Sequence, residues 1–329
     1  MGTIERLLAT GGLILAVGIA LVIGGLLFVV IPNSTADLLG VVLTLVLAIA
    51  AARAVGGVIG NYLDEFNVAQ VSVEGPISRD GGSPSPLSAG GGTRADEIVE
   101  QIERATASVS ADALVVQLNT PGGEVLPSED IRAAVERFDG PTIAYATDTC
   151  ASGGYWIAAG CDELWARKAS VIGSIGVVGS RPNASELADR LGIEYEQFTA
   201  GQFKDAGTPL KEVSDSDREY LQGLVDDYYE QFITQVSESR DMDPQLLRGT
   251  EARVFLGEEA KDRGLIDRVG TRDDLEEYLA DQLDETPEIR EFQPDRGLSD
   301  RLNAGVRQVA TAIGAGITNA LVSDQFRFR

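Results

Sequence analysis

Ser152 is the residue of this sequence best placed to act as a nucleophile. It lies in the segment TCASGGYW, residues 149–156, which follows a predicted strand at 142–146 and opens a predicted helix at 151–159. A serine at this junction lies at the carboxyl edge of a sheet, where sites form in α/β proteins. It also faces the positive end of a helix dipole, which favours a developing oxyanion. The alternative interpretation is that Ser152 only caps the helix, a common role for serine.

A lysine is the predicted base, because the sequence contains no histidine. That absence excludes a Ser–His–Asp triad, a Cys–His dyad and histidine-based zinc sites. Lysine can accept a proton where burial disfavours its charged form. Of the lysines, Lys204 fits this role best, since it lies in the glycine-flanked segment GQFKDAG, residues 201–207, beside an aromatic residue. The alternative is a solvated loop lysine next to Asp205.

Two glycine-containing segments are predicted to complete the site. Gly122 and Gly123 end the segment NTPGG, which follows a predicted strand, and paired glycines at such a turn can point N–H groups at an anion. The alternative is an ordinary left-handed turn that needs glycine. Ser174, in the segment GSIGV, is predicted to orient the lysine amine. The alternative interpretation is that the GSIGV segment is only a glycine-rich strand that packs closely against a neighbour.

Charge and cysteine content exclude other classes of function. The formal net charge of −24 argues against a nucleic-acid partner, because phosphates would be repelled. An acidic, lysine-poor composition is typical of proteins in a high-salt environment, although an ordinary acidic surface is the alternative. Cys150 and Cys161 lack metal-ligand spacing and are predicted to be small core residues, with a single disulfide between them left open.

The first 63 residues are predicted to form a two-helix membrane hairpin. The runs at 7–31 and 38–60 are apolar, and only Arg53 interrupts the second. The sequence therefore predicts a multi-pass protein of the cell membrane, with the side of its following domain left open. At the other end, residues 286–329 form an extension with a predicted amphipathic helix at 298–321, which packs on protein or contacts the membrane.

Residues 64–285 are predicted to form an α/β domain with a largely parallel sheet, because strand and helix patterns alternate there. A glycine-, serine- and proline-rich segment at 75–93 is predicted to be a flexible loop. The expected strands lie at 68–73, 113–118, 142–146 and 171–178. The expected helices lie at 94–108, 124–138, 151–159, 215–239 and 257–263.

In this order, the segments NTPGG, ASGGY, GSIGV and FKD resemble those of the signal peptide peptidase A family, peptidase family S49, in its short form with one catalytic domain. The resemblance spans roughly residues 68–278 and includes RVFLG and GLID near its end. It implies a crotonase/Clp-type fold. It also implies that Ser152 is acylated, that Lys204 is the general base, and that Ser174 positions Lys204. The N–H groups of Gly153 and of Gly122 or Gly123 would hold the oxyanion.

The same resemblance implies a membrane-anchored serine endopeptidase that degrades cleaved signal peptides or other hydrophobic peptides. It implies no metal or cofactor, contact with the lipid bilayer, and assembly into a homo-oligomer. Two predicted spans, where many relatives have one, depart from the family pattern. Three alternatives stay open: a membrane peptidase dedicated to one protein such as a stomatin-like partner, a crotonase-like acyl-CoA enzyme, and a scaffold without catalytic activity.

Overall fold

The computed structural model describes residues 66–80 and 92–294, together with the helical residues Gly18 and Val22. The strands are β1 (Val68–Glu74), β2 (Ile77–Ser78), β3 (Thr93–Arg94), β4 (Ala113–Thr120), β5 (Thr142–Ala151), β6 (Glu163–Ala166), β7 (Val171–Gly173), β8 (Val254–Leu256), β9 (Arg268–Val269) and β10 (Ile289–Glu291). The helices are α1 (Ala95–Thr106), α2 (Val125–Val135), α3 (Gly153–Ala158), α4 (Ser185–Arg190), α5 (Asp215–Arg240), α6 (Pro244–Arg248), α7 (Gly257–Asp262) and α8 (Arg272–Leu283).

The described elements form an α/β fold around a mostly parallel sheet, which confirms the predicted fold class. The strand order is β10-β1-β4-β5-β6-β9, and every neighbouring pair in that order is parallel. The short strand β7 pairs in parallel with the carboxyl end of β5, and β8 pairs antiparallel with β7. β2 and β3 form a separate two-stranded sheet.

Apolar side chains cover both faces of the sheet, because parallel strands are buried on both sides. In β4, Leu114 and Val116 point into a core shared with α1, α2, α3 and the second half of α5. The alternating residues Ala113 and Val115 point to the opposite face, where Leu275 of α8 packs on them. The continuous apolar pattern of β4 thus follows from its position at the centre of the sheet.

Helix α5 is capped at its start but buried only in part. A capping box at Ser214 begins it, in which Ser214 and Asp217 bond each other's backbone N–H groups. Apart from Asp217, its buried side chains are Phe232, Ile233 and Val236, all in its second half. The first half of α5 therefore contributes an exposed surface next to the segment that precedes it.

The structure corrects the predicted elements at two places. The strand predicted at 171–178 ends at Gly173, because Ser174 takes a positive φ of 52° that a strand does not allow. β10 pairs with β1, so the sheet continues beyond residue 285, where the sequence placed the end of the domain. Cys150 and Cys161 are buried and free, as predicted for core residues, and they form no disulfide.

Several predictions fall on residues outside the described part of the chain. These are the predicted spans at 7–31 and 38–60, apart from Gly18 and Val22, and the amphipathic helix at 298–321. Most of the predicted loop at 75–93 also lies there, although β2 and β3 occupy its two ends. Among the described residues, no helix combines the length and the apolar character needed to cross a bilayer.

Candidate active site

Ser152 lies on a strained turn between the end of β5 and the start of α3. Its backbone has φ 52° and ψ −120°, a conformation that residues other than glycine rarely adopt. Its N–H donates to the carbonyl of Gly173 at 2.9 Å. Its side chain makes no capping hydrogen bond to α3. The structure thus does not support the alternative that Ser152 merely caps the helix, and its hydroxyl is left available for chemistry.

The predicted glycine turn packs directly against this serine. Gly122 has φ +90°, and a Cβ added to it would lie 2.4 Å from the nitrogen of Gly153 and 2.8 Å from the Cβ of Ser152. The Gly122 N–H donates to Thr120 Oγ1 at 3.0 Å, and Thr120 Oγ1 in turn donates to the carbonyl of Gly75. Glycine is therefore required here both for its conformation and for the close approach of two backbone turns.

Two backbone N–H groups near Ser152 are left as donors. Between described residues, no hydrogen bond engages the N–H of Gly123 or of Gly153. The two glycines are close, since a Cβ built on Gly153 would lie 3.2 Å from the nitrogen of Gly123. The sequence left the oxyanion donor open between Gly122 and Gly123. Because Thr120 already occupies the N–H of Gly122, the geometry favours Gly123.

Ser174 is the structural neighbour of Ser152. In the pairing of β5 with β7, Ala151 is the partner of Gly173, so the two serines follow paired residues. Both serines have φ 52°. The N–H of Ser174 donates to the carbonyl of Arg253 at 3.0 Å. The ends of β5 and β7 therefore place the two serines next to each other along the paired strands, each on a turn with a positive φ.

A cavity of about 90 Å³ opens beside Ser152. Its polar lining comes from Gly123, Ser128, Ser152 and Gly153. Its apolar lining comes from Val125, Trp156, Val177, Val178, Tyr228 and Phe232, with Gly176 between them. Such a cavity suits one apolar side chain of a bound peptide, held next to the serine.

Trp156 is fixed as one wall of this cavity. Its ring packs edge-on against Phe232, with centroids 4.9 Å apart. Its Nε1 donates to Glu129 at 2.6 Å. Hydrogen bonds from Arg132 and, to a smaller extent, from Trp156 hold the pKa of Glu129 below its usual range. The carboxylate thus stays charged and keeps the indole in place. A wider groove of about 450 Å³ between α2 and α5 adjoins the cavity and shares Val125, Trp156 and Tyr228 with it.

Lys204 does not join the other predicted residues within one chain. It is exposed, and it does not line the cavity. Among the described residues, its ammonium forms no ion pair and no hydrogen bond with Ser152 or Ser174. The neighbouring Phe203 stacks on Tyr220 at 4.7 Å, whereas the cavity is reached at Tyr228 of the same helix. At 1.5 Å per residue those tyrosines are about 12 Å apart along α5.

The expectation of a buried lysine amine is therefore incorrect for the isolated chain. The segment around Lys204 is mostly exposed, and its buried residue nearest to Lys204 is Ala206. Few side chains of this segment are therefore placed to cover the lysine. In contrast, Ser152, Ser174, Gly122, Gly123 and Gly153 do come together. They follow paired strands of one sheet, and the sheet fixes their positions.

Sequence reasoning missed two residues that shape the site. Thr120 Oγ1 accepts a hydrogen bond from the N–H of Gly122, two residues further along the chain. Threonine often forms such a local turn, and the NTPGG segment could have indicated it. Trp156 lies four residues after Ser152 in the ASGGYW segment, and this spacing places it on the same side of α3.

Among the described residues, no cluster of cysteine, aspartate and glutamate could hold a metal ion.

Comparison with known proteins finds relatives among the peptidases. The family model of peptidase family S49 matches residues 136–285. "Putative protease slr0021" of Synechocystis is 30% identical over 221 residues, which are 65% of this chain and 80% of the relative. "Putative protease MJ0651" of Methanocaldococcus jannaschii is 33% identical over 212 residues, which are 63% of this chain and 66% of the relative.

A third relative and a solved structure were also matched. "Putative signal peptide peptidase SppA" of Enterococcus faecium is 30% identical over 183 residues, which are 54% of this chain and 53% of the relative. The solved structure of a mutant of "1510-N membrane-bound stomatin-specific protease" covers 70% of this chain and 99% of that one, at 17% identity and a TM-score of 0.42. That likeness is too distant to support any assignment.

These sequence matches identify the chain as a serine peptidase and define its family. The chain belongs to peptidase family S49, whose members use a Ser–Lys dyad.

Proposed function

We propose that this chain is a membrane-anchored serine endopeptidase that degrades cleaved signal peptides or other hydrophobic peptides. Ser152 is the nucleophile, Lys204 the general base and Ser174 the residue that orients the lysine. The observation that carries the proposal is the strained turn at Ser152, whose hydroxyl lies beside two unengaged backbone N–H groups. This combination is what acyl transfer by a serine requires.

The reaction proceeds through an acyl-enzyme. The neutral amine of Lys204 takes the proton of the Ser152 hydroxyl while its Oγ attacks the scissile carbonyl carbon. The N–H groups of Gly123 and Gly153 stabilise the oxyanion of the tetrahedral intermediate. The ammonium then gives its proton to the leaving amine. Water, activated by the same lysine, hydrolyses the ester and frees Ser152.

The cavity and the sequence support this substrate class. Most of the side chains around the 90 Å³ cavity are apolar, which favours an apolar residue next to the scissile bond. The apolar runs at 7–31 and 38–60 would anchor the chain at a bilayer, where hydrophobic peptides accumulate. A relative is named as a signal peptide peptidase. The apolar cavity and the apolar runs of this chain suit hydrophobic peptides of that kind.

A second copy of the chain brings Lys204 to Ser152. Two observations support this step. Lys204 is exposed and about two turns of α5 away from the cavity. The segment between Ser174 and Lys204 also exposes large apolar side chains, among them Phe198 at 92% and Val178 at 89% exposure, which an adjacent subunit would cover. A cyclic homo-oligomer would repeat this contact at every interface.

Mixing two inactive variants tests the function and the assembly together. Ser152→Ala and Lys204→Ala are purified as full chains, assayed separately on an apolar fluorogenic peptide, and assayed again after subunit exchange. Each variant alone should be inactive. Random mixing should restore about a quarter of the wild-type activity, because a quarter of the interfaces then join an intact serine to an intact lysine. An inactive mixture would place the dyad within one chain, and activity in either variant alone would refute the dyad.

A pH profile provides a separate check on the base. Only a neutral lysine accepts the proton, so activity should rise from neutral to alkaline pH. Lys204→Arg should be inactive, because arginine keeps its charge throughout that range.

A further inference from the structure

The segment that carries Lys204 is joined to the start of α5 by a three-residue ion cluster. Lys211 Nζ lies 2.9 Å from Asp205 Oδ1 and 2.9 Å from Asp217 Oδ2. The side chains of Lys211, Asp205 and Asp217 are 31%, 17% and 3% exposed, respectively. Asp217 is fixed in turn, since its Oδ2 accepts hydrogen bonds from the hydroxyl and the N–H of Ser214. Asp205, the residue next to Lys204, is thus tied to a helix terminus.

The backbone on either side of the cluster is held as well. Arg181 donates to the carbonyls of Ala206 and Lys211 at 2.7 and 2.5 Å. Phe203 stacks on Tyr220 of α5. The charged and titratable groups in these contacts with the segment that carries Lys204 are Asp205, Arg181, Lys211, Asp217 and Tyr220.

Two of these groups are carboxylates, and Asp205 is the one next to Lys204 in the sequence, whereas Asp217 is held by Ser214 at the start of α5. A carboxylate that pairs with an ammonium favours the charged form of the lysine, whereas a general base has to be neutral. Lys204 and Asp205 are consecutive residues, so their charged ends could meet if Asp205 were free. In the structure, the oxygen Oδ1 of Asp205 is bound to Lys211 instead.

We propose that Lys211 is a positioning residue for the base: it binds the carboxylate of Asp205 and so prevents that carboxylate from pairing with Lys204. The inference rests on the proposed function, in which Lys204 is the general base. Lys211 touches neither Ser152 nor the cavity, and it acts through Asp205 alone.

The test is the pH dependence of kcat and of kcat/KM on one apolar fluorogenic peptide, measured with the full chain. In Lys211→Met the freed Asp205 pairs with Lys204, so the rise of activity should move about 0.5 to 1 pH unit to higher pH. Below the midpoint, activity should fall about 3- to 10-fold, and at high pH it should approach the wild-type value. The double variant Lys211→Met with Asp205→Asn should bring the midpoint back.

Two controls separate this effect from a loss of structure. Lys211→Arg keeps the positive charge and should leave the midpoint in place. Asp217→Asn loosens the same cluster but leaves Lys211 on Asp205, so it should not move the midpoint either. If Lys211→Met does not fold, Lys211→Gln replaces it, because glutamine also carries no charge and predicts the same alkaline shift.

The outcomes distinguish this inference from the proposed function. A loss of activity by the same factor at every pH in Lys211→Met, or a double variant that stays shifted, would overturn the positioning role. If Lys204→Arg kept its activity, the assignment of the base would fail, whatever the Lys211 variants did. An inactive Lys204→Arg together with an unshifted Lys211→Met would remove the positioning role alone.

Discussion

Replacing Gly122 by alanine tests whether the close contact of the two turns holds the site together. A side chain at this position meets two separate obstacles. Its φ of +90° is unfavourable for any L residue. Its Cβ would also lie 2.4 Å from Gly153 N, 2.7 Å from Ala151 O and 2.8 Å from Ser152 Cβ. These atoms are backbone or the base of a side chain, and they cannot rotate away.

The expected loss of stability is the sum of the two costs. The positive φ costs about 1–2 kcal/mol, and forcing extra atoms into a packed region costs about 1–3 kcal/mol. Gly122→Ala should therefore lower the free energy of unfolding by about 2–5 kcal/mol. Any relief of the clash moves Gly153, so kcat should also fall on the order of 100-fold, as when one oxyanion donor is lost.

Two other glycines serve as matched controls in urea unfolding and in the peptide assay. Gly192 has φ +69°, but no atom lies within 4 Å of an added Cβ. Gly192→Ala should therefore cost about 1–2 kcal/mol and leave kcat unchanged. Gly223 lies inside α5, also with open space around it. Gly223→Ala should stabilise the protein by about 0.5–1 kcal/mol. If Gly122→Ala were as stable and as active as Gly192→Ala, the proposed contact between the turns would be wrong.

Three further predictions concern the cavity, the cysteines and the ion cluster. Trp156→Phe removes the hydrogen bond to Glu129 and enlarges the cavity. The ratio of kcat/KM for a peptide with a large apolar residue at the cleavage site to that for a peptide with a small one should therefore rise about 10-fold. An unchanged ratio would show that Trp156 does not set specificity. Burial raises the pKa of both cysteine thiols, so iodoacetamide should leave native activity intact and modify the protein only after unfolding; rapid native modification would contradict the burial. The hydrogen bond from Lys211 lowers the pKa of Asp217 in the folded protein. The pair therefore stabilises the fold above the pKa that Asp217 has in the unfolded chain, which is near 4. This stabilisation is lost as the pH falls through the lower pKa of the folded state. Acid titration of the thermal unfolding midpoint should be flatter in Asp217→Asn, and equal slopes would argue against the pair.

The central strands could be predicted because their sequence pattern reflects full burial. β4 and β5 carry continuous apolar runs, as expected for strands covered on both faces. The edge strands β9 and β10 and the neighbouring β6 have between two and four residues, too few to form a pattern. α8 escaped prediction because its polar residues outnumber its two buried leucines, Leu275 and Leu279.

The candidate site, like the fold, could be predicted from the sequence only in part. Ser152 and the glycine turn were predictable because each follows a central strand, and parallel strands bring their carboxyl ends to one edge. Choosing Gly123 over Gly122 required the hydrogen bond to Thr120, which residue types alone do not specify. The surroundings of Lys204 depend on a segment with few buried side chains, so the local sequence does not determine where its amine lies.

Labelling with a serine-directed fluorophosphonate, followed by mapping of the modified peptide by mass spectrometry, tests whether Ser152 is the activated nucleophile. Full-length wild type, Ser152→Ala and Lys204→Ala are treated in parallel in detergent at high salt. We expect one adduct, on Ser152, which is absent in Ser152→Ala and strongly reduced in Lys204→Ala. An adduct on another serine, or equal labelling of all three proteins, would contradict the assignment of Ser152 as the activated nucleophile.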